Sequence, residues 1–195
     1  MKKRLIIGFK GITLAPVTKN DVLGYATDAA EALPYAGNMT LSPIEQSQDF
    51  NYDDELYAQY RNTSGYNVEI HIAEATLERL AELGLGVYDS TKNGLKYDFT
   101  PKLETYSLGY IANTVSDLPD YFLERVFDLL GIRLGDMQTK GDSVTANEVI
   151  ITGVLRRPSM PGLWPRDRRQ LKEDSSNLTE CQALIAGNET FPPLP

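Results

Sequence analysis

Thr139-Lys140-Gly141-Asp142-Ser143-Val144, leading into Val149-Ile150-Ile151-Thr152-Gly153-Val154-Leu155, is the stretch on which the fold turns. The first five residues read as a turn: Gly141 tolerates positive φ, and Asp142 and Ser143 can bond back to nearby backbone. The run that follows is β-branched and apolar on both alternating faces, which suits a strand in the middle of a packed sheet. Periodicity alone leaves a buried helix open, but the preceding turn, the β-branched density and Gly153 favour the strand. Its pairing partners must lie elsewhere in the chain.

Working outward, Val68, Ile70 and Ile72 share one face and Glu69 and His71 the other, a half-buried strand over Asn67 to Ile72. Leu103 to Thr114 carries Tyr106, Leu108, Tyr110 and Ala112 on one face. Tyr121 to Leu134 is apolar but interrupted by Glu124, Arg125 and Asp128, and it reads as a strand although its spacing also permits a helix. A first strand spans Lys3 to Val17, bent around Gly8 to Gly11 and ended by Pro16, and a second is expected over Asn38 to Gln48. The helix sits at about 74–83, with Ala75, Leu77, Leu80, Ala81 and Leu83 near i, i+3, i+4 spacing and Gly84 and Gly86 closing it. Residues 48–65, with Tyr52-Asp53-Asp54-Glu55 and few aliphatics, read as a long exposed loop or hairpin.

After Leu155 the character changes. Arg156, Arg157, Pro158, Pro161, Pro165, Arg166, Arg168 and Arg169 surround Trp164, and the chain ends Phe191-Pro192-Pro193-Leu194-Pro195. The expected layout is a mainly β domain over residues 1–157, with one flanking helix and a long loop. An extended Pro/Arg-rich arm over 158–195 would follow, and deleting Arg156 to Pro195 should leave folded monomers.

Composition narrows the function classes. The chain has 195 residues, 42% hydrophobic, with 27 acids against 19 bases and a net charge of −8. That is enough apolar content for a core, and the acidity argues against a general nucleic-acid-binding surface. One cysteine, Cys181, cannot form an internal disulfide. The apolar start of the chain stops at Lys10, too short for a signal h-region, and no run approaches a membrane span.

Chemistry finds little footing. His71 is the one histidine and reads as a surface residue beside Glu69, and no His/Cys cluster has metal-ligand spacing. Gly141-Asp142-Ser143 invites comparison with esterases that carry a Gly-Asp-Ser nucleophile. There the serine lies near the N-terminus, and an Asp sits three residues before the catalytic histidine. Here the serine comes late, before a strand, and the residue three before His71 is Val68. Asp53-Asp54-Glu55 lacks the spacing and glycine of a calcium loop. The expectation is a protein without enzymatic activity, catalytic residues, metal or cofactor.

Charge placement says more. Asp21, Asp28, Glu31, Glu45, Asp49, Asp53, Asp54 and Glu55 occur between Asp21 and Tyr60 with no lysine or arginine. The stretch from Arg156 to Lys172 has six bases and one acid. One account is two solvated faces of a monomer. The other is head-to-tail association, with Trp164, Arg166, Arg168 and Arg169 of one copy against Tyr52, Asp53, Asp54 and Glu55 of the next.

Tyr52-Asp53-Asp54, then Val68-Glu69-Ile70 entering the Leu77 to Leu83 helix with Gly84, then Leu108-Gly109-Tyr110, then Thr139-Lys140-Gly141-Asp142-Ser143 and Ile151-Thr152-Gly153 form an ordered set. That set resembles the major tail protein family of long-tailed bacteriophages, the subunit of the tail tube. The family's strand before the turn is usually aromatic and lysine-rich, whereas Tyr121 to Leu134 is acidic and leucine-rich. The resemblance implies a β-sandwich or barrel-like tail-tube fold with a flanking helix. It also implies homohexameric rings stacked into a tube in the virion tail, made in the host cytoplasm. Genomic DNA would pass through without specific binding, and tape-measure and tail-terminator or tip proteins would be partners, with no membrane insertion. The alternative class is a β-sandwich binding or decoration protein of a virion or cell surface.

Overall fold

The computed structural model describes residues 6–33, 36–52, 55–73, 76–84, 86–97, 104–114, 118–134, 139–140, 143–144 and 148–192. They form a mainly β fold, broadly sandwich-like, built on one large sheet. The elements begin with β1 (Ile6–Asp21), β2 (Gly24–Thr27), β3 (Glu31–Leu33), β4 (Ala36–Tyr52), β5 (Glu55–Ile72) and α1 (Leu77–Glu82). They continue with β6 (Gly86–Asp89), β7 (Gly94–Tyr97), β8 (Glu104–Thr114), β9 (Asp120–Leu134), β10 (Thr139–Lys140) and β11 (Ser143–Val144). The chain closes with β12 (Val149–Leu155), β13 (Arg166–Gln170), α2 (Leu178–Leu184) and β14 (Thr190–Phe191).

As its composition requires, β12 sits inside the sheet, between β9 and β5 in the order β14-β2-β1-β8-β9-β12-β5-β4. Ile151 lies opposite Ile70 on one side and Ile132 on the other, all antiparallel. The segment 120–134 is a strand, not a helix: its apolar residues split between the two sheet faces. Phe122, Phe127 and Leu129 join the main core, whereas Tyr121 and Leu123 pack on the opposite side. At Gly153 an added Cβ would overlap the Phe127 ring and the Asp128 carbonyl. The carbonyl cannot rotate away, so Gly153→Val is expected to destabilise by about 2–3 kcal/mol, read from the denaturant midpoint.

The sheet curls so that β1, β3, β5, β8, β9 and β12 share one core, with Ile12, Leu14, Leu33, Ile70, Ile72, Leu108, Phe127 and Ile151 almost wholly buried. Leu80 and Leu83 of the α1 segment plug it. The helix is shorter than its pattern implies. Thr76 caps it by accepting from the Arg79 N–H at 3.2 Å, and Gly84 leaves it at φ 92°. Residues 74–75 lie outside the described set. Pro16 does not end β1; it marks where β1 passes from pairing with β8 to pairing with β2.

The largest departure is the C-terminal segment, which is folded rather than extended. β13 pairs with β9 on the same edge as β12, so one edge of β9 is covered first by Val149–Leu155 and then by Arg166–Gln170. Residues 157–165 loop out between them. A second helix, α2, then lies across the outer face of β8 and β9, where Leu171, Cys181 and Leu184 cover Tyr121 and Leu123. Gly109 permits that approach, since a Cβ would strike Thr13 and Ile185. β14 finally pairs with β2, and Met160, Leu163 and Phe191 close over Tyr25 and Val126. Removing the chain after Leu155 would therefore bare two apolar clusters, contrary to the expectation of folded truncated monomers.

Candidate functional site

Residues 48–65, read as a long exposed loop or hairpin, belong to a hairpin. β4 and β5 pair from Ala36 opposite Ile72 to Tyr52 opposite Glu55. Ala36, Met39, Leu41, Tyr66, Val68, Ile70 and Ile72 seat its base on the core. Beyond that base the flanking residues Glu45, Gln46, Ser47, Asn62, Thr63 and Ser64 are all exposed. The pairing continues from Glu45 to Tyr52, about 26 Å of strand. Glu45 to Asp49 include no apolar residue, which is why the stretch resembles a loop in sequence.

β4 has 17 residues, and among the described residues only β5 pairs with it. Its outer edge therefore offers an open row of backbone donors and acceptors. Pro43 within the strand fits that edge position, since proline cannot supply a ladder donor. Tyr52 and Glu55 form the last pair of the hairpin, while Asp53 and Asp54 between them lie outside the described residues.

The arginines of β13 serve their own chain. Arg166 is ion-paired to Glu124 and lies 5.1 Å over the Tyr66 ring; Arg168 is ion-paired to Asp120 and lies 5.2 Å over Phe122. Both acids are buried on β9, at 4% and 0% exposure, where an unpaired charge would be strongly unfavourable. Burial pushes Glu124 up to about 6, with Arg166 and the Tyr110 hydroxyl pulling the other way. Being raised, it favours the fold below the ordinary carboxylate range and loses that contribution as pH rises through about 6.

On the opposite face, buried Arg125 bonds Asp167 at 2.6 Å, Glu189 at 3.1 Å and the Trp164 carbonyl at 2.7 Å, with its guanidinium 5.2 Å from the centre of the Phe191 ring. Burial works against the Arg125 charge, but Asp167 and Glu189 outweigh it and hold its pKa above the usual value. Arg169 donates to the Glu180 carbonyl at 2.7 Å. Arg166, Arg168 and Arg169 are exposed yet engaged within the chain, and Trp164 adds an apolar side chain displayed at 76% exposure. Sequence reasoning missed Asp120, Glu124 and Arg125 as partners, because their charges read as interruptions of an apolar strand.

Thr139–Lys140 and Ser143–Val144 form a short hairpin, Thr139 opposite Val144 and Lys140 opposite Ser143. Gly141 and Asp142 at its turn lie outside the described residues. His71 is engaged elsewhere, 2.7 Å from Glu69 and 3.0 Å from Glu148. Those hydrogen bonds, Glu148 first and then Glu69, raise its pKa. Their stabilising effect is present below the unfolded-state value and is lost as pH rises through the folded-state value. The single histidine makes proton NMR unambiguous: its midpoint should lie above the ordinary histidine range, and Glu148→Gln should lower it.

Burial raises the Cys181 thiol, the reverse of what a nucleophile requires. Among the described residues no three His, Cys, Asp or Glu side chains are grouped to hold a metal ion. No described helix is long and apolar enough to cross a membrane.

No family model matches the chain, and no curated protein matches it. One solved structure that does is a chain in the 6-fold symmetrised cryo-EM structure of the anti-feeding prophage (AFP) baseplate. The identity is 10%, over 88% of this chain and 97% of that one, with a TM-score of 0.39. A score of that size does not establish a common fold.

Proposed function

We propose that this chain is a structural, non-enzymatic protein of a bacteriophage virion, and that it is the subunit of a tail tube. The observation that carries this reading is the long β4–β5 hairpin, whose 17-residue β4 has one edge open among the described residues. A strand of that length left unpaired is an aggregation liability in a monomer, and pairing around a closed ring removes it. The ordered residues from Tyr52 to Gly153 that resemble the major tail protein family point to the same use of the fold. Six copies would close into a ring and rings would stack, with an acid-rich channel that repels the phosphate backbone of passing DNA.

A second reading, a binding or decoration protein of a virion or cell surface, is favoured by one observation. The C-terminal segment is already closed on its own sheet and leaves Trp164 displayed. Sedimentation velocity across a concentration series separates the two readings. The tube subunit should shift to discrete ring-sized and larger species, whereas a decoration protein should stay monomeric without its carrier.

A further inference from the structure

A cavity of about 370 Å³ opens beside the exposed tryptophan. Met160, Leu163, Trp164 and Phe191 give it apolar walls, while Asp167 and Arg169, with Glu189 and Arg125 beside them, add polar groups of both signs. Its rim is fixed at several points. Met160 is buried, Gly162 turns the loop at φ 78°, and Arg125 holds the Trp164 carbonyl. The Ser159 N–H donates to Asn20 at 2.8 Å, and the Arg125 N–H donates to the Pro165 carbonyl at 2.9 Å. Pro158, Pro161 and Pro165 stiffen the same loop. The indole is thus presented from a rigid loop, so a ligand would meet it at little ordering cost.

The polar groups decide what fits. Asp167 spends one carboxylate oxygen on Arg125 and is 43% exposed; its second oxygen can accept. Arg169 spends one nitrogen on Glu180 and keeps further N–H donors. A ligand charged with either sign would meet a like charge here, and a wholly apolar one would strip water from both groups without replacing it. Hydroxyl groups, each donor and acceptor, satisfy both. An aromatic platform suits a ring with an apolar C–H face. The volume is at the small end of ligand pockets, enough for one or two rings.

We propose that this cavity is a saccharide-binding site that takes a hexopyranose unit, its C–H face on Trp164 and its hydroxyls on Asp167 and Arg169. The site is independent of the hairpin edge and of the tube reading. Trp164 is the chain's one tryptophan, so its fluorescence reports this site alone. Titrating the full chain with glucose, galactose and N-acetylglucosamine should give a saturable emission change with at least one sugar. Calorimetry should show about tenfold weaker binding in Trp164→Ala, partly restored in Trp164→Phe. The indole is mostly in solvent, so Trp164→Ala should keep the wild-type unfolding midpoint. Neither emission change nor heat with any of the three sugars overturns the proposal, as does unchanged affinity in Trp164→Ala.

Discussion

Arg125→Met should cost about 3–5 kcal/mol of stability, the loss expected when one partner of a buried ion-pair network is removed. Methionine can fill much of the space but cannot bond Asp167, Glu189 or the Trp164 carbonyl, all of which Arg125 holds together. Glu189 is the critical group left behind, since burial already raises its pKa and Arg125 opposes that shift. Without the arginine its pKa rises further. A raised carboxyl favours the fold in its protonated form, so the loss should be smaller near pH 4 than near neutrality, to within about a unit. Urea unfolding at the two pH values checks the sign. Hydrogen exchange should show the extra opening concentrated in β13, α2 and β14. A uniform loss across the sheet would mean that Arg125 does not act as the clasp of the C-terminal segment.

Trimming the hairpin should abolish assembly while leaving the fold intact. Glu45 and Thr63 are directly paired, so an Asn-Gly turn can join them in place of residues 46–62. Met39, Leu41, Val68 and Ile70, which seat the hairpin base on the core, are kept. The trimmed chain should unfold within about 1 kcal/mol of the full chain, yet stay monomeric where the full chain associates. Equal association by both chains would show that the projecting hairpin is dispensable. A truncation after Leu155 cannot make this distinction, because it removes Leu171, Cys181 and Leu184 from a buried cluster.

The central sheet was legible because its strands satisfy two demands in one pattern. Val149 to Leu155 must be apolar on both faces to sit between β9 and β5, and Val68, Ile70 and Ile72 alternate because one face meets the core. The outer hairpin carries no apolar residue from Glu45 to Asp49, so loop and hairpin could not be told apart there. The C-terminal segment misled for a different reason. Arginine and proline together read as solvated extended chain, whereas the counterions of Arg166 and Arg168 are Glu124 and Asp120, some 42 and 48 positions earlier. Pairing over that distance has no local signature. The second helix did have one, Leu178, Cys181 and Leu184 at three-residue spacing, obscured by the irregular sequence around it. Gly141 and Asp142 of the expected turn lie outside the described residues, and His71 is tied to Glu69 and Glu148.

Negative-stain electron microscopy of the purified full-length chain, across a rising concentration series, tests the central claim most directly. A tail-tube subunit should form six-fold rings that stack into hollow tubes. Particles that stay single and monomeric at every concentration would contradict it.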